Sequence, residues 1–501
     1  MGTEHKLSIN SFLKKLFNSP AEDKNSKRRH PKKAAGSGSK PEAVIYGADE
    51  HQIQNHLISR NAIKVCQVLQ DAGYEAFIVG GAVRDLTLGL QPKDFDVATN
   101  ATPEQVKPLF RRSLIIGRRF RLVHCIFGRE IIEVSTYRAA SKQKQLTDEF
   151  GRVLSDNVYG NQAQDAERRD FTINSLYYDP IREELIDYHN GLHDIRHRIV
   201  RIIGDAEARY REDPVRLLRA LRFQAKLNGT LESSTSAPIQ AMAELLVNVP
   251  ESRLADESLK LLCCGNSMLC LKQIEEHGIS DGILPLINLL QEQLSHNKFL
   301  QIALERTDYR IRSNKTVSPS FLYASALWPL VNDRWQYYRN ERKEPPVPAL
   351  VQAAHEVLEN FARHLSLQRR QSSDMREIWF MQPRFEKRSL RAIHRMFDQP
   401  RFRAAVDFLQ IRAAAGEFDS VLAQWWMDLA DADSENRQAM LAELPQQALQ
   451  QRTAGTDDEA VRVKRRRRPR RRNNANRKRK NTAAKADQTS TGGSKGDSGN
   501  D

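Results

Sequence analysis

Phe77-Ile78-Val79-Gly80-Gly81-Ala82-Val83-Arg84-Asp85, with Asp94-Phe95-Asp96 following, is the stretch from which the rest of the chain can be read. Ala76 to Val79 is a short apolar run with the length of a buried strand, the glycine pair breaks it, and Ala82 to Leu88 carries a helical pattern. A glycine pair between strand and helix lets backbone N–H groups approach a phosphate, and the helix start adds a favourable potential. Arg84, one turn in, can clamp the same anion. Lys93 to Ala98 reads as a second strand. On a strand, side chains two apart share a face, so Asp94 and Asp96 are expected to point the same way. Carboxylates that close repel unless a cation lies between them. Mg²⁺ is usually held by one or two carboxylates with triphosphate oxygens completing its shell, and two such ions can activate a hydroxyl and steady a leaving pyrophosphate. Glu133, on a later apolar strand, is the natural third carboxylate. A DxD pair alone is an ordinary half-exposed strand and a glycine pair alone an ordinary turn. Their adjacency carries the information.

Working outward, apolar residues recur at helical spacing from Asn55 to Ala72. Thr102 and Pro103 open a helix to Phe110, and Leu122–Phe127 and Ile131–Tyr137 read as two more strands. After a polar loop from Ala139 to Asn157, helical periodicity dominates, with long candidates at Asp205–Leu227, Ser252–Leu262, Pro348–Leu365 and Phe402–Ala413. The expected fold class is α+β: a head with a small mixed β-sheet and flanking helices, then an elongated all-α neck and body, with disordered basic arms at both ends. The tryptophans Trp328, Trp335, Trp379, Trp425 and Trp426 are expected in the core of that body.

Charge is unevenly placed. Twelve of the seventeen residues from Lys464 to Lys480 are Lys or Arg, among them Lys464, Arg465, Arg466, Arg467, Arg468, Arg470, Arg471 and Arg472. Six more cations lie between Lys24 and Lys33, and together these eighteen exceed the net charge of +15, so the remainder is close to neutral. Such arms suit a polyanion such as RNA, although charge runs are often only solvated. Five cysteines without paired CxxC spacing suit a reducing compartment. A polar N-terminus and the lack of any apolar run near ~18 residues exclude an export signal and a membrane span, which makes the cytoplasm the expected location.

Four later segments add to the head. Arg168-Arg169-Asp170-Phe171-Thr172-Ile173-Asn174-Ser175-Leu176 offers two cations for polyphosphate, an acceptor at Asp170 for a ribose hydroxyl and an amide at Asn174, though a capping Asp beside a surface Arg pair would look the same. Gly191-Leu192-His193-Asp194 follows. In Glu212-Asp213-Pro214-Val215-Arg216, Asp213 and Arg216 lie three apart on an expected helix and can match the edge of a base, or simply pair with each other. Arg253, Glu257 and Lys260 come last.

In this order and spacing the segments resemble the class II nucleotidyltransferases, the family of bacterial CCA-adding enzymes and poly(A) polymerases, over about Ile53 to Leu262. The resemblance implies that Asp94 and Asp96 bind Mg²⁺, with Glu133 completing the catalytic group. It implies that Gly80, Gly81, Arg84 and Arg169 hold triphosphate, Asp170 and Asn174 the ribose, and Asp213 with Arg216 the base. Asp85, Glu212 and Arg253 or Glu257 would support them, and residues 191–194 would form a hinge. The implied organisation is a flexible arm at 1–45, a catalytic head at 53–190, a base-reading neck at 191–265, an RNA-binding body at 266–450 and a basic tail at 451–501.

Within the family, Gly117-Arg118-Arg119-Phe120-Arg121-Leu122-Val123-His124, the wording from Tyr210 to Ala220 and the Arg-rich tail resemble the proteobacterial poly(A) polymerases. The expected activity is addition of AMP from ATP to RNA 3′ ends, on mRNA, small RNA and decay fragments, with RNA-decay proteins as possible partners. CCA addition to tRNA is the alternative. A non-catalytic RNA-binding scaffold would be expected to lack Asp94 or Asp96, and both are present.

Overall fold

The computed structural model describes residues 42–117, 121–139, 158–279 and 282–454. Eight strands form one sheet: β1 (Val44–Tyr46), β2 (Ala76–Val79), β3 (Asp96–Thr99), β4 (Ser113–Ile116), β5 (Leu122–Phe127), β6 (Glu130–Thr136), β7 (Leu176–Asp179) and β8 (Glu184–Asp187). Their order is β1-β8-β7-β2-β3-β6-β5-β4. Only β3 and β6 pair in parallel. Parallel neighbours need a crossover, and here the chain passes through the helical turn Pro103–Val106, β4 and β5 between them.

Strand alternation sorts the side chains. Ile78, Val97, Ile132, Val134 and Tyr178 join the main core, to which the helix Arg60–Asp71 adds Ala62, Val65, Cys66 and Leu69. The opposite face gathers Phe77, Val79, Ala98 and Tyr177 into a small second cluster, and Asp96 and Glu133 stand in the same rows. A sheet buried on one side thereby presents carboxylates on the other.

Several element boundaries differ from the sequence expectation, each for a physical reason. Val44 and Ile45, assigned to the flexible arm, belong to β1, whose pairing with β8 is a contact that local sequence does not reveal. β3 starts at Asp96 instead of Lys93, because its partner β2 ends at Val79, opposite Asp96, and leaves residues 93–95 without a ladder. Asp94 therefore lies just ahead of the strand. The helix expected from Thr102 to Phe110 tightens into a 3₁₀ turn at Lys107–Leu109, where Pro108 has no N–H to donate. The helix expected at Asp205–Leu227 breaks into Ala206–Glu212 and Val215–Leu227, because Pro214 drives Asp213 into an extended conformation (φ −147°, ψ 96°). Strands β4, β7 and β8 had no separate sequence signal. Most of the expected flexible arm at 1–45, the basic tail, most of the 139–157 loop and residues 118–120 lie outside the described residues.

The C-terminal half is helical. Pro319–Asn340, Pro346–Phe361, Arg369–Met381 and Phe402–Ala414 are its long elements, and Trp328, Trp335, Trp379 and Trp426 are buried. Each of those indoles donates to an oxygen: Glu417, Pro346, Ala324 and Phe385 respectively. Trp425 is only partly buried. All five cysteines are free thiols, and among the described residues no helix is long and apolar enough to cross a membrane.

One backbone approach fixes how β8 leads into the neck. Asp187 accepts from the N–H groups of Gly191 and Leu192 (3.0 and 2.9 Å). The fully buried Asp194 accepts from the Thr172 hydroxyl at 2.7 Å and from Arg201 at 3.1 Å. A Cβ on Gly191 would run into the Thr172 carbonyl. Gly191→Ala is therefore expected to lower unfolding stability by about 1–3 kcal/mol, as overpacking does. Denaturant melts of the two proteins check this.

Candidate active site

The turn after β2 requires glycine. Gly80 has φ 71° and ψ −132°, a conformation that L side chains rarely adopt. A Cβ placed there would sit 3.5 Å from an Arg169 guanidinium nitrogen, so that cation lies against the turn.

Register places the carboxylates. Tyr177, Val79, Asp96, Glu133 and His124 form one row across five strands. Asp96 and Glu133 are direct neighbours in the parallel pair, on strands about 4.8 Å apart. Both are exposed, as is Asp94. The Asp96 carboxyl opens to solvent yet is crowded by protein on its other sides. Burial, then the charge of Glu133, and to a lesser degree that of Asp94, push it up to about 6, against the opposing pull of Arg169. His124 Nε2 lies 3.3 Å from Glu133 Oε1. Sequence reading missed His124, although its alternation with the buried Val123 and Cys125 puts it on the face of Glu133.

The donor set fits a hard divalent cation that shares its shell with substrate. Among the described residues no three His, Cys, Asp or Glu groups close into a cage. Mg²⁺ seldom uses one, preferring one or two carboxylates plus water and phosphate oxygens. The mutual repulsion around Asp96 is what such a cation would relieve.

Arg84 also lies against the turn, a guanidinium nitrogen 3.5 Å from where a Cβ on Gly81 would stand. It is buried, and its guanidinium is committed to Asp85 (2.9 and 2.8 Å) and to the Asn174 amide oxygen (2.6 Å), with its flat face 5.0 Å from the Phe223 ring. Lys226 closes on Asp85 from the other side at 2.9 Å. Arg84 thus holds Asn174, and Asp85 holds Arg84. Asp170 is similarly engaged. It accepts from Phe171 N–H (2.8 Å), from the Asn174 amide nitrogen (3.1 Å) and from Arg219 Nε (2.7 Å), with Arg219 Nη2 also in contact. Burial alone would raise its carboxyl, but these partners outweigh burial and hold it at about 2. Asn174 is therefore pinned on both ends of its amide.

Arg169 bonds Asp165 at 3.0 Å and the Tyr177 hydroxyl at 3.1 Å while lying over the Tyr177 ring. A cavity of about 210 Å³ opens beside it, next to Ser135 and Thr136 of β6.

Around the break at Asp213-Pro214 the Arg216 N–H donates to the Asp213 carbonyl at 3.0 Å, while the two side chains take different partners. Asp213 accepts from Arg253 at 2.7 Å, and Arg216 donates to Glu212 at 2.6 Å and to the Arg209 carbonyl at 2.9 Å. Arg209 also donates to Glu212 at 2.7 Å and to the backbone carbonyls of Arg168 and Arg169. Glu212 and Arg253 thus each contact one member of the pair, Arg216 and Asp213 respectively. Glu257 does not reach the pair: it meets Arg222 at 3.7 Å and Lys260 at 2.8 Å. Sequence reading also missed Arg209, Arg219 and Lys226. The signal was there for two of them, since positions 216, 219, 222 and 226 are basic at helical spacing.

The poly A polymerase head domain model matches residues 76–201, a model for a probable RNA and SrmB-binding site of polymerase A matches 230–290, and one for the arginine-rich C-terminus of polymerase A matches 342–473. Poly(A) polymerase I of Salmonella typhi is 40% identical over 427 residues, which is 83% of this chain and 92% of that one. The chain belongs to the poly(A) polymerase I family. A CCA-adding enzyme of Lactobacillus helveticus is 38% identical but over only 200 residues, 40% of this chain and 49% of its own. The solved CCA-adding enzyme of Bacillus stearothermophilus with CTP has a TM-score of 0.50 at 25% identity, covering 77% of this chain and 82% of that one. The poly(A) polymerase I likeness thus spans 83% of this chain, against 40% for the Lactobacillus match.

Asp170 yields a test of this frame. Its depressed folded-state value means that its stabilising contribution is present above the unfolded value near 4 and is lost as pH falls towards 2. The contribution is about 2 kcal/mol. Asp170→Asn removes it, so the variant is expected to be less stable at pH 7 and to show a flatter decline below pH 4. Urea melts across that range measure both.

Proposed function

We propose that this chain is a template-independent polynucleotide adenylyltransferase that transfers AMP from ATP to the 3′-hydroxyl of RNA and releases pyrophosphate. The observation that carries the reading is the Asp96–Glu133 pair beside the glycine turn, in a chain that is 40% identical to a poly(A) polymerase I over nearly all of that enzyme's length.

The 3′ oxygen attacks the α-phosphorus in line, forming an O3′–P bond as the bond to pyrophosphate breaks. Mg²⁺, held by Asp94 and Asp96 with Glu133 beside them, would make the hydroxyl easier to deprotonate and offset charge on the leaving group. Gly80, Gly81 and Arg169 receive the triphosphate, a role supported by the guanidinium lying against the turn. Asn174 faces the ribose, held by Arg84 and Asp170, so these two act as positioning residues. Asp213 and Arg216 meet the adenine edge, held by Arg253 and Glu212. The neck and body carry the RNA strand, and the Lys464–Lys480 tail strengthens attachment in a salt-sensitive way. A cytoplasmic setting with RNA-decay partners accords with that activity.

Asp96→Asn keeps the shape and removes the charge. It is expected to cut incorporation of labelled ATP into a 3′-hydroxyl RNA by ~10³-fold, the scale of losing a principal electrostatic group, with a melting temperature no lower than the parent's. RNA ending in a 3′-deoxy residue should accept nothing from the parent protein. Near-normal incorporation by Asp96→Asn would refute the assignment.

A further inference from the structure

Away from the head, a cavity of about 430 Å³ opens in the helical body between the end of the helix Lys298–Arg312, the loop 313–318, the start of Pro319–Asn340 and the helix Phe402–Ala414. Its position, residues 303–321 with 404–411, falls partly between the matched family segments, which end at 290 and resume at 342. Its floor is apolar, with Phe321 and Ile411, and Phe321 is braced edge-on against the buried Phe408 at 5.9 Å. Its rim is cationic, with Arg306, Arg310 and Lys315. The one carboxylate in the lining, Asp407, is already paired with Arg403 at 3.1 Å. Among the described residues Arg306 and Lys315 have no ion-pair partner, and the ring of Tyr309, 62% exposed, packs against no other aromatic ring.

The rim is built, not frayed. Arg310 donates to the Thr316 carbonyl at 3.0 Å and its own carbonyl accepts from Lys315 N–H at 2.8 Å, so the loop is clasped back on the helix. The same helix is tied to the neck. Asp308 accepts from Ser267 N–H at 2.8 Å, and Arg312 donates to the Gly265 carbonyl at 2.7 Å. Tyr309 is thereby carried on an element fastened to the part of the chain that follows Arg253 and Glu257.

An exposed aromatic face, an apolar floor and unpaired cations at the rim are the combination that holds one nucleotide of a single strand, base on ring and phosphate on cation. The volume suits a ligand of that size. We propose that this pocket binds a nucleotide of the RNA strand upstream of the 3′ end, stacked on Tyr309 with its phosphates met by Arg306 and Lys315. The proposal rests on the reading of the chain as an RNA 3′-end transferase and adds a second point of hold on the same strand, one that only longer RNA can reach.

The test uses the full-length protein and fluorescently labelled oligoadenylates, one long and one only a few nucleotides, with anisotropy as the readout at fixed salt. Tyr309→Ala should weaken binding of the long strand about tenfold, within the range of a lost base–aromatic stack. It should leave the short strand and the KM for ATP on a short primer unchanged, with the same melting temperature. Tyr309→Phe should retain the affinity, and Lys315→Ala should lower the salt slope for the long strand by about one. Unchanged long-strand affinity in Tyr309→Ala, as for a surface that meets only protein, would overturn the proposal. So would equal loss for both lengths, or a raised KM for ATP, which would mark a site for free nucleotide. Failure of the parent protein to bind either strand would count instead against the functional reading, and against this inference with it.

Discussion

Two carboxylates on neighbouring strands of one sheet repel each other, and the structure keeps Asp96 and Glu133 side by side in β3 and β6. That repulsion, added to crowding, leaves Asp96 far above an ordinary aspartate, at about 6. The surroundings only partly answer it. Arg169 draws Asp96 back, while being fastened to Asp165 and Tyr177 so that it cannot swing in and neutralise the pair. The sheet thus gathers negative charge at one point, beside the glycine turn.

The frame around that point is a chain of ion pairs spanning head and neck. Lys226 and Arg84 hold Asp85, Arg84 and Asp170 hold Asn174, and Arg219 holds Asp170. Phe223 lies within 5.4 Å of the guanidiniums of Arg84, Arg219 and Arg222, an apolar ring whose faces and edges separate like charges. Buried pairs of this kind contribute little net stability, but removing one partner strands the other. Their consequence is geometric: the helix Val215–Leu227 is linked through Arg219–Asp170 and Lys226–Asp85–Arg84 to Asn174.

Much of this was legible in the sequence where short-range rules apply. The run Ala76–Val79 and the strand Leu122–Phe127 have the expected bounds, since apolar runs punctuated by glycine are local signals. The carboxylates were identified from spacing, although the reason given for Asp94 and Asp96 was a shared strand, and Asp94 proves to precede it. What spacing could not reveal was partnership. Arg84 and Asp170 look like free donors and acceptors until β7, the 172–174 turn and the helix Val215–Leu227 fold over them. His124 reaches Glu133 only through the pairing of β5 with β6. Val44–Tyr46 is a strand only because β8 offers an edge. The local signal for a continuous helix through Asp213 lost to the steric demand of Pro214, and at that break the Asp213 carboxylate meets Arg253.

The head alone does not distinguish addition of a poly(A) tail from addition of CCA, since the same residue types serve both chemistries. The most direct measurement is extension of an unstructured 3′-hydroxyl RNA, lacking any tRNA fold, with Mg²⁺ and each nucleoside triphosphate supplied separately. The account predicts a long ladder with ATP alone. Extension confined to tRNA ends, and requiring CTP before ATP, would contradict it.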